Sequence, residues 1–468
     1  LGIENVWNKF LLSSREMAQY IDSFNSEWVK AYFDVGNILL YGYPQHWINE
    51  LGSRIVKVHI KGFKRANEQL LWVNLLEGDI DWKAGKAPLF YFKASDEVSE
   101  MGRSAFFEYF YENALGGGRA FPSVKHMETD IVEMALSLFS APDDAQGFMS
   151  TGGTESIILA IQTCRDWTRH DRGMKQLRGN IVAPESIHPA FEKGAKLMDL
   201  EVRRIPVGPD YRADVAAMEA AIDDETIMVA GSAPCFPYGV IDPITELAAM
   251  AKRRGLWMHV DACVGGYLAP FVRMIGRDIP AFDFSVDGVQ SISADLHKFG
   301  FCPKPASTVF YRSAERARFQ AFDFDGWPNG RFYTTTICGT RPAGGVSGAW
   351  AVFNHLGIDG YKRIASELMG FIDDLKARVL EIPGMRIIGD PHLSIVAYTS
   401  DDVDIFRVAE LMAGKGYLPG LLQKPRALHR MMSLVHAPVV DDYIGELRAA
   451  VDALRTNPGE QASIKATY

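Results

Sequence analysis

Between about residues 126 and 345, short apolar runs alternate with amphipathic helical patterns, and this alternation limits the possible folds more than any other feature of the chain. Ile181-Val182-Ala183, Ile227-Met228-Val229-Ala230, Trp257-Met258-His259-Val260 and Thr308-Val309-Phe310-Tyr311 predict strands buried on both faces, because they are apolar throughout and too short for helices. Residues 131–136, the stretch after Glu155 and residues 244–254 carry helical spacing between them. Strands joined by helical crossovers make a mostly parallel sheet, and such sheets bind ligands at the carboxyl ends of their strands. Asp261 stands at that end of one apolar run.

The flanking regions read differently. Residues 1–125 are aromatic-rich and mostly helical in pattern, with Trp28, Tyr32, Phe33, Tyr41, Tyr43 and Trp47 forming an apolar lead-in expected to pack as an arm on a second subunit. A long helix is predicted from about 346 through Leu380 and is broken at Pro383-Gly384. A smaller α+β unit follows, with strands at 393–398 and 431–435 and a closing helix at 443–454. The expected division is therefore 1–125, a large domain at 126–345 and a small domain at 346–468. A length of 468 residues suits one large and one smaller domain, and an apolar fraction of 47% supplies their cores.

A net charge of −9 gives no electrostatic footing for nucleic-acid binding, so any anion site must be local. The five cysteines, Cys164, Cys235, Cys263, Cys302 and Cys338, contain no Cys-x-x-Cys pair and read as reduced thiols. No apolar run approaches the roughly 20 residues that span a bilayer. A cytoplasmic protein is expected, one that begins at Leu1 without part of its native N-terminus. No residue is assigned to a metal.

The chemistry concentrates in a few motifs. Lys298 ends Ser-Ala-Asp-Leu-His-Lys, 37 positions after Asp261. A lysine there can form an imine with the aldehyde of pyridoxal 5′-phosphate, and an aspartate at a strand end can pair with the protonated pyridine nitrogen and keep the ring an electron sink. Ser150-Thr151-Gly152-Gly153-Thr154-Glu155-Ser156 leads into an apolar helix, so paired glycines and a helix start could receive a phosphate, with a hydroxyl from Thr154 or Ser156. His188, past the strand at 181, could stack on a flat ring. Lys304 lies six residues beyond Lys298 and could meet an anionic substrate group. Gly339-Thr340-Arg341-Pro342 is a tight turn with a cation, suited to another phosphate contact. Each motif alone also has an ordinary structural reading, as a helix cap, a core histidine or a surface lysine.

Together they resemble the sphingosine-1-phosphate lyases, a family of fold-type I pyridoxal-phosphate enzymes in the group II decarboxylase superfamily. The similar stretches run from about Tyr91 to about His436 and include residues 150–157, 183–188, Phe-Pro-Tyr-Gly-Val-Ile-Asp-Pro at 236–243, 260–267, 291–301 and 339–345. The resemblance implies a homodimer with shared active sites in which Lys298 holds the cofactor, Asp261 pairs with its ring nitrogen and His188 stacks on the ring. It further implies that Gly153, Thr154 and His297 hold the cofactor phosphate and that Gly339 and Thr340 reach in from the other subunit. Lys304 and Tyr91 would face the substrate phosphate, with Asn113 lining the same region. One departure stands out: where the family has Asn-Pro-Leu-His, this chain has Asn113-Ala114-Leu115-Gly116, followed by Gly117-Gly118-Arg119. The family's histidine is absent, and the glycine run and Arg119 could take its place.

The implied reaction is retro-aldol cleavage of sphingosine 1-phosphate to a long-chain aldehyde and phosphoethanolamine, part of sphingolipid degradation. The base that takes the C3 hydroxyl proton stays open among the Lys298 amine, a bound water and a phosphate. An amino-acid decarboxylase of the same superfamily is the alternative, and a non-catalytic binding protein that keeps the fold is a third.

Overall fold

The computed structural model describes residues 1–6, 10–38, 43–59, 62–66, 69–73, 91–116, 118–174, 176–417, 420–457 and 462–466. The chain divides into two compact units, residues 1–86 and 87–468.

The first unit holds more strand than its sequence pattern predicts. Gly2–Glu4, Lys30–Asp34 and Ile55–His59 form a parallel three-stranded sheet, with helices Ser14–Ser23 and Pro44–Leu51 as the crossovers. Ser13 and Glu16 close a reciprocal capping box at the first helix, which satisfies two otherwise orphaned N–H groups. Met17, Ile21, Phe33, Trp47 and Leu51 bury a core of their own, with the Phe33 and Trp47 rings stacked at 6.3 Å. Trp28 and Tyr43 are exposed, and Tyr41 lies outside the described residues. The strands end in Glu4, Asp34 and His59, whose polar atoms gather within 4.8 Å of one another, a donor set of the kind that can hold a metal ion. The sequence reading assigned nothing to a metal and passed over these three, which only the strand pairing assembles.

The expected boundary at 125 also shifts. Residues 91–125 belong to the larger unit, where helix Asp96–Glu108 packs on the long helix Gly344–Leu380. The two backbones approach closely: the Ser347 hydroxyl donates to the Ala105 carbonyl at 2.8 Å, and a Cβ on Gly102 would stand 3.1 Å from Val352 and Pro303.

The larger unit is built on a seven-stranded sheet. Its strand order is 146–150, 307–311, 289–294, 257–261, 226–232, 180–184 and 201–205. Strand Ser307–Tyr311 runs antiparallel to both neighbours, and the other strands pair in parallel. The four expected strands are present as Asn180–Pro184, Thr226–Ser232, Trp257–Asp261 and Ser307–Tyr311, all fully buried, as strands covered by helices on both faces should be. The helical patterns at 131, 155 and 244 become Pro122–Leu138, Gly153–Asp171 and Ile244–Arg253.

The long helix bends at Gly357, which has φ +53. The small sheet beyond it has the order 385–387, 395–400, 426–431, 420–423 and is antiparallel throughout. One expected strand moves: the ladder uses Arg426–Met431, and 434–439 forms a 3-10 turn in place of a strand at 431–435. Helix Val440–Thr456 closes the chain. No helix among the described residues is long and apolar enough to cross a membrane.

Candidate active site

A cavity of about 410 Å3 opens at the carboxyl end of the central strand, as a crossover sheet requires. Six of the expected residues line it: Gly153, Thr154, His188, Asp261, His297 and Lys298. Cys263, Asp295, Glu155, Phe236 and Met431 complete much of the wall.

Asp261 is the last residue of its strand, and its Oδ1 accepts the Cys263 N–H at 3.1 Å. Two residues back on the same face, His259 is fully buried and hydrogen-bonds Ser291 at 2.8 Å and Ser293 at 3.3 Å. Burial pushes the His259 imidazole down to about 4, against the pull of Asp261, so the layer beneath Asp261 stays neutral at ordinary pH. His188 takes the Ala190 N–H on Nδ1 at 3.1 Å, which leaves Nε2 as its proton-bearing nitrogen. Burial lowers its affinity for a second proton, so it presents a neutral ring face.

Helix Gly153–Asp171 begins at the glycine turn, so its first N–H groups open toward the cavity. The turn cannot carry larger residues: a Cβ on Gly153 would stand 2.8 Å from Asp295 Oδ2 and 2.8 Å from Cys263 Sγ. Glu155 holds the turn from below, accepting the Thr151 N–H at 2.7 Å and its hydroxyl at 2.6 Å, and also the Ile337 N–H at 3.0 Å. A lysine amine, a strand-end carboxylate, a neutral imidazole face and a glycine-lined helix start thus surround one cavity. That set has the chemistry pyridoxal phosphate asks for: an amine for its aldehyde, a carboxylate for its ring nitrogen and helix-start N–H groups for its phosphate.

Lys298 pairs with Asp295, Nζ to Oδ2, at 2.9 Å. Burial works against the charge of both groups. The positive charge of Lys298 nevertheless holds the Asp295 carboxyl below its usual range, and Asp295 in turn raises Lys298 above the usual lysine value. Asp295 escaped the sequence reading. Its signal was the three-residue offset from Lys298.

The remaining expected residues lie apart from this cavity wall. The Lys304 amine sits 5.8 Å over the Phe92 ring, and burial followed by the charge of Lys298 lowers its proton affinity. The Tyr91 carbonyl accepts the Ser433 hydroxyl at 3.0 Å. Asn113 binds the turn at 339–342: its side chain reaches the Thr340 hydroxyl at 3.4 Å and accepts the Arg341 N–H at 3.2 Å. Gly339, Thr340 and Asn113 therefore cluster with one another instead of lining the chain's own cavity. Arg119 is exposed, Gly118 borders a different cavity, and neither lines the lysine pocket, while Gly117 lies outside the described residues.

Residues 118–400 match the family model for the pyridoxal-dependent decarboxylase conserved domain, and residues 1–89 match that of the xylose isomerase-like TIM barrel. Sphingosine-1-phosphate lyase of Arabidopsis thaliana is 42% identical over 344 residues, covering 72% of this chain and 63% of that protein. Its counterpart in Oryza sativa subsp. japonica is 37% identical over 388 residues, 81% of this chain and 71% of that one. The chain thus spans roughly two thirds of the length of these plant proteins. The solved sphingosine-1-phosphate lyase of Burkholderia pseudomallei K96243 aligns with a TM-score of 0.77 at 35% identity, over 81% of this chain and 88% of that one. A glutamate decarboxylase of Lactobacillus brevis, at 22% identity and a TM-score of 0.67, shares the fold.

Proposed function

Since the chain belongs to the pyridoxal-dependent decarboxylase family, and within it to the sphingosine-1-phosphate lyases, we propose that it cleaves the C2–C3 bond of sphingosine 1-phosphate to give a long-chain aldehyde and phosphoethanolamine. The observation that carries this reading is the meeting of Lys298, Asp261, His188 and the Gly153 helix start around one cavity.

The cofactor supplies an electron sink for the carbanion left when the C2–C3 bond breaks. Lys298 would anchor it covalently through its amine. Asp261, its orientation fixed by the Cys263 N–H, would keep the ring nitrogen protonated. His188 would cover one ring face, and as a neutral imidazole it would add no positive charge there. Gly153, Thr154 and His297 would hold the cofactor phosphate. Lys304 and Tyr91 would face the substrate phosphate, with Lys304 as the cation, and Asn113, bonded to the turn that carries Thr340, would line that region from the second copy.

Gly339 and Thr340 lie outside the chain's own cavity, which supports a homodimer in which a second copy places them at the neighbouring site. A reducing, cytoplasmic setting suits five cysteines that all stand unpaired in the structure.

Incubation of the cofactor-loaded protein with sphingosine 1-phosphate, followed by mass spectrometry, tests the reading. Long-chain aldehyde and phosphoethanolamine in equal amounts are expected. A protein that shows the visible absorption of lysine-bound cofactor yet forms no aldehyde overturns it, and carbon dioxide released from amino acids would redirect attention to decarboxylation.

A further inference from the structure

We propose that Asp295 is the counter-ion and positioning residue of Lys298, and that it couples the state of that nitrogen to the phosphate-binding turn through a buried chain of hydroxyls. The inference rests on the reading that Lys298 carries the cofactor.

Three carboxylates line the cavity; Glu155 is taken up by Thr151 and the Ile337 N–H, and the other two are engaged differently from each other. Asp261 Oδ1 is held by the Cys263 N–H, and Asp261 forms no ion pair with Lys298 among the described residues. Asp295 is 2% exposed and meets the Lys298 amine through Oδ2 at 2.9 Å, with His297 Nε2 at 3.6 Å from the same oxygen. The backbone reinforces the pair, since the Lys298 N–H donates to the Asp295 carbonyl at 3.2 Å. The lysine is thereby tethered to Asp295 by main chain and side chain together.

The second oxygen of Asp295 leads away from the lysine. Oδ1 accepts the Ser307 hydroxyl at 2.5 Å, Ser307 Oγ lies 2.9 Å from Ser156 Oγ, and Ser156 Oγ lies 2.7 Å from Ser150 Oγ. With Ser307 donating to Asp295, the protons run from Ser150 to Ser156 to Ser307, and Ser150 and Ser156 flank the glycine turn on its two sides. All three serines are buried. The chain joins Asp295 to both ends of the glycine turn, and Gly153 itself lies against the Asp295 carboxylate with no room for a Cβ. A buried polar network with every member partnered is stiff and polarises along its length, so a change at the turn is felt at Asp295. In the reaction, the amine released by the substrate needs an acceptor for its positive charge that is not the ring's own partner, and Asp295 occupies that place.

The charged and titratable groups facing Lys298 are Asp295, Cys263 and Asp261 on one side, and His188, His297 and Lys304 around it. Removing the Asp295 charge leaves Asp261 as the lone carboxylate in that set. The protonated form of the lysine–cofactor linkage should then give up its proton at lower pH, by at least about one pH unit.

The test uses the full chain loaded with pyridoxal phosphate. Borohydride reduction and peptide mapping of the wild type come first: label on any residue other than Lys298 defeats the cofactor reading itself, whatever Asp295 does. With label on Lys298, the visible absorption of wild type, Asp295→Asn and Ser307→Ala is titrated against pH. A shift to lower pH is expected in Asp295→Asn, and a smaller shift to higher pH in Ser307→Ala, where the carboxylate loses a donor and its charge acts more strongly on the lysine nitrogen. Titrations that superimpose on the wild type overturn the inference. If Asp295→Asn fails to fold or to take up cofactor, Ser307→Ala decides, because it keeps the carboxylate and removes only the hydroxyl that braces it.

Discussion

His297 and Ala306 are tied to each other twice: the His297 N–H donates to the Ala306 carbonyl at 3.0 Å, and the Ala306 N–H donates to His297 Nδ1 at 3.2 Å. With Nδ1 occupied as an acceptor, the ring proton sits on Nε2, the nitrogen that faces Asp295 and the cavity. His297 is thus a donor with a fixed direction. Replacing it with Ala should weaken cofactor binding roughly tenfold to a hundredfold, the worth of one hydrogen bond to a charged phosphate, while leaving Lys298 able to react. Equilibrium dialysis of pyridoxal phosphate against both proteins measures this.

Gly153→Ala places a methyl 2.8 Å from both Asp295 Oδ2 and Cys263 Sγ. The turn or the carboxylate must shift, at a cost of about 1 to 3 kcal/mol. Reduced cofactor retention and a lower thermal midpoint of the loaded protein are expected. An alanine variant as stable and as well loaded as wild type would show that the turn has slack.

Lys304→Ala should separate substrate binding from cofactor chemistry. The visible absorption of the loaded protein should be unchanged, and KM for a phosphorylated substrate should rise by roughly tenfold or more with a smaller change in kcat, as for loss of an ion pair made equally in ground and transition states. Steady-state kinetics on the phosphorylated base read the split directly. An unchanged KM would remove Lys304 from the substrate site.

Acid should destabilise the larger unit before its carboxylates protonate generally. Burial holds His259 and His429 at about 4, so below about pH 6.5 the unfolded chain takes up two protons that the folded chain refuses, and stability falls as pH falls toward 4. Asp242, pushed up to about 6 by burial, acts with the opposite sign, because the folded chain keeps a proton there that the unfolded chain has released. Two groups against one leaves a net loss of about 2 to 3 kcal/mol between pH 7 and pH 5. Denaturant titrations at the two pH values check it, and a midpoint that is level or higher at pH 5 contradicts the assignment.

Much of the fold was legible for one physical reason: strands buried on both faces are written as unbroken apolar runs, and Trp257–Asp261 and Thr226–Ser232 are of that kind. Strand Arg426–Met431 was not legible in that way, because it buries His429 and Arg430 and so reads as polar. The first unit failed for a related reason. Its strands of three to five residues carry aromatic and charged side chains between helices and lack a run long enough to stand out. At the site, Gly153, Thr154, His188, Asp261, His297 and Lys298 were legible from their motifs. Asp295 was not, because its meaning comes from Ser150, Ser156 and Ser307, which lie on three separate elements and meet only in the folded chain.

Gly239 belongs to the stretch 236–243 by which the chain most resembles the lyases, and it carries φ +73 with the Ile395 carbonyl oxygen where a Cβ would be, 2.2 Å away. Its own carbonyl accepts the His392 N–H at 3.2 Å, and Ile241 donates to His392 Nδ1 at 3.2 Å. Part of that stretch is therefore joinery, a seam along which the small antiparallel sheet is sewn to the large one. A motif of this kind travels with an architecture and not only with a substrate: the walls of the cavity can be refurnished for another amine, but the seam has to be kept for the two sheets to go on facing each other.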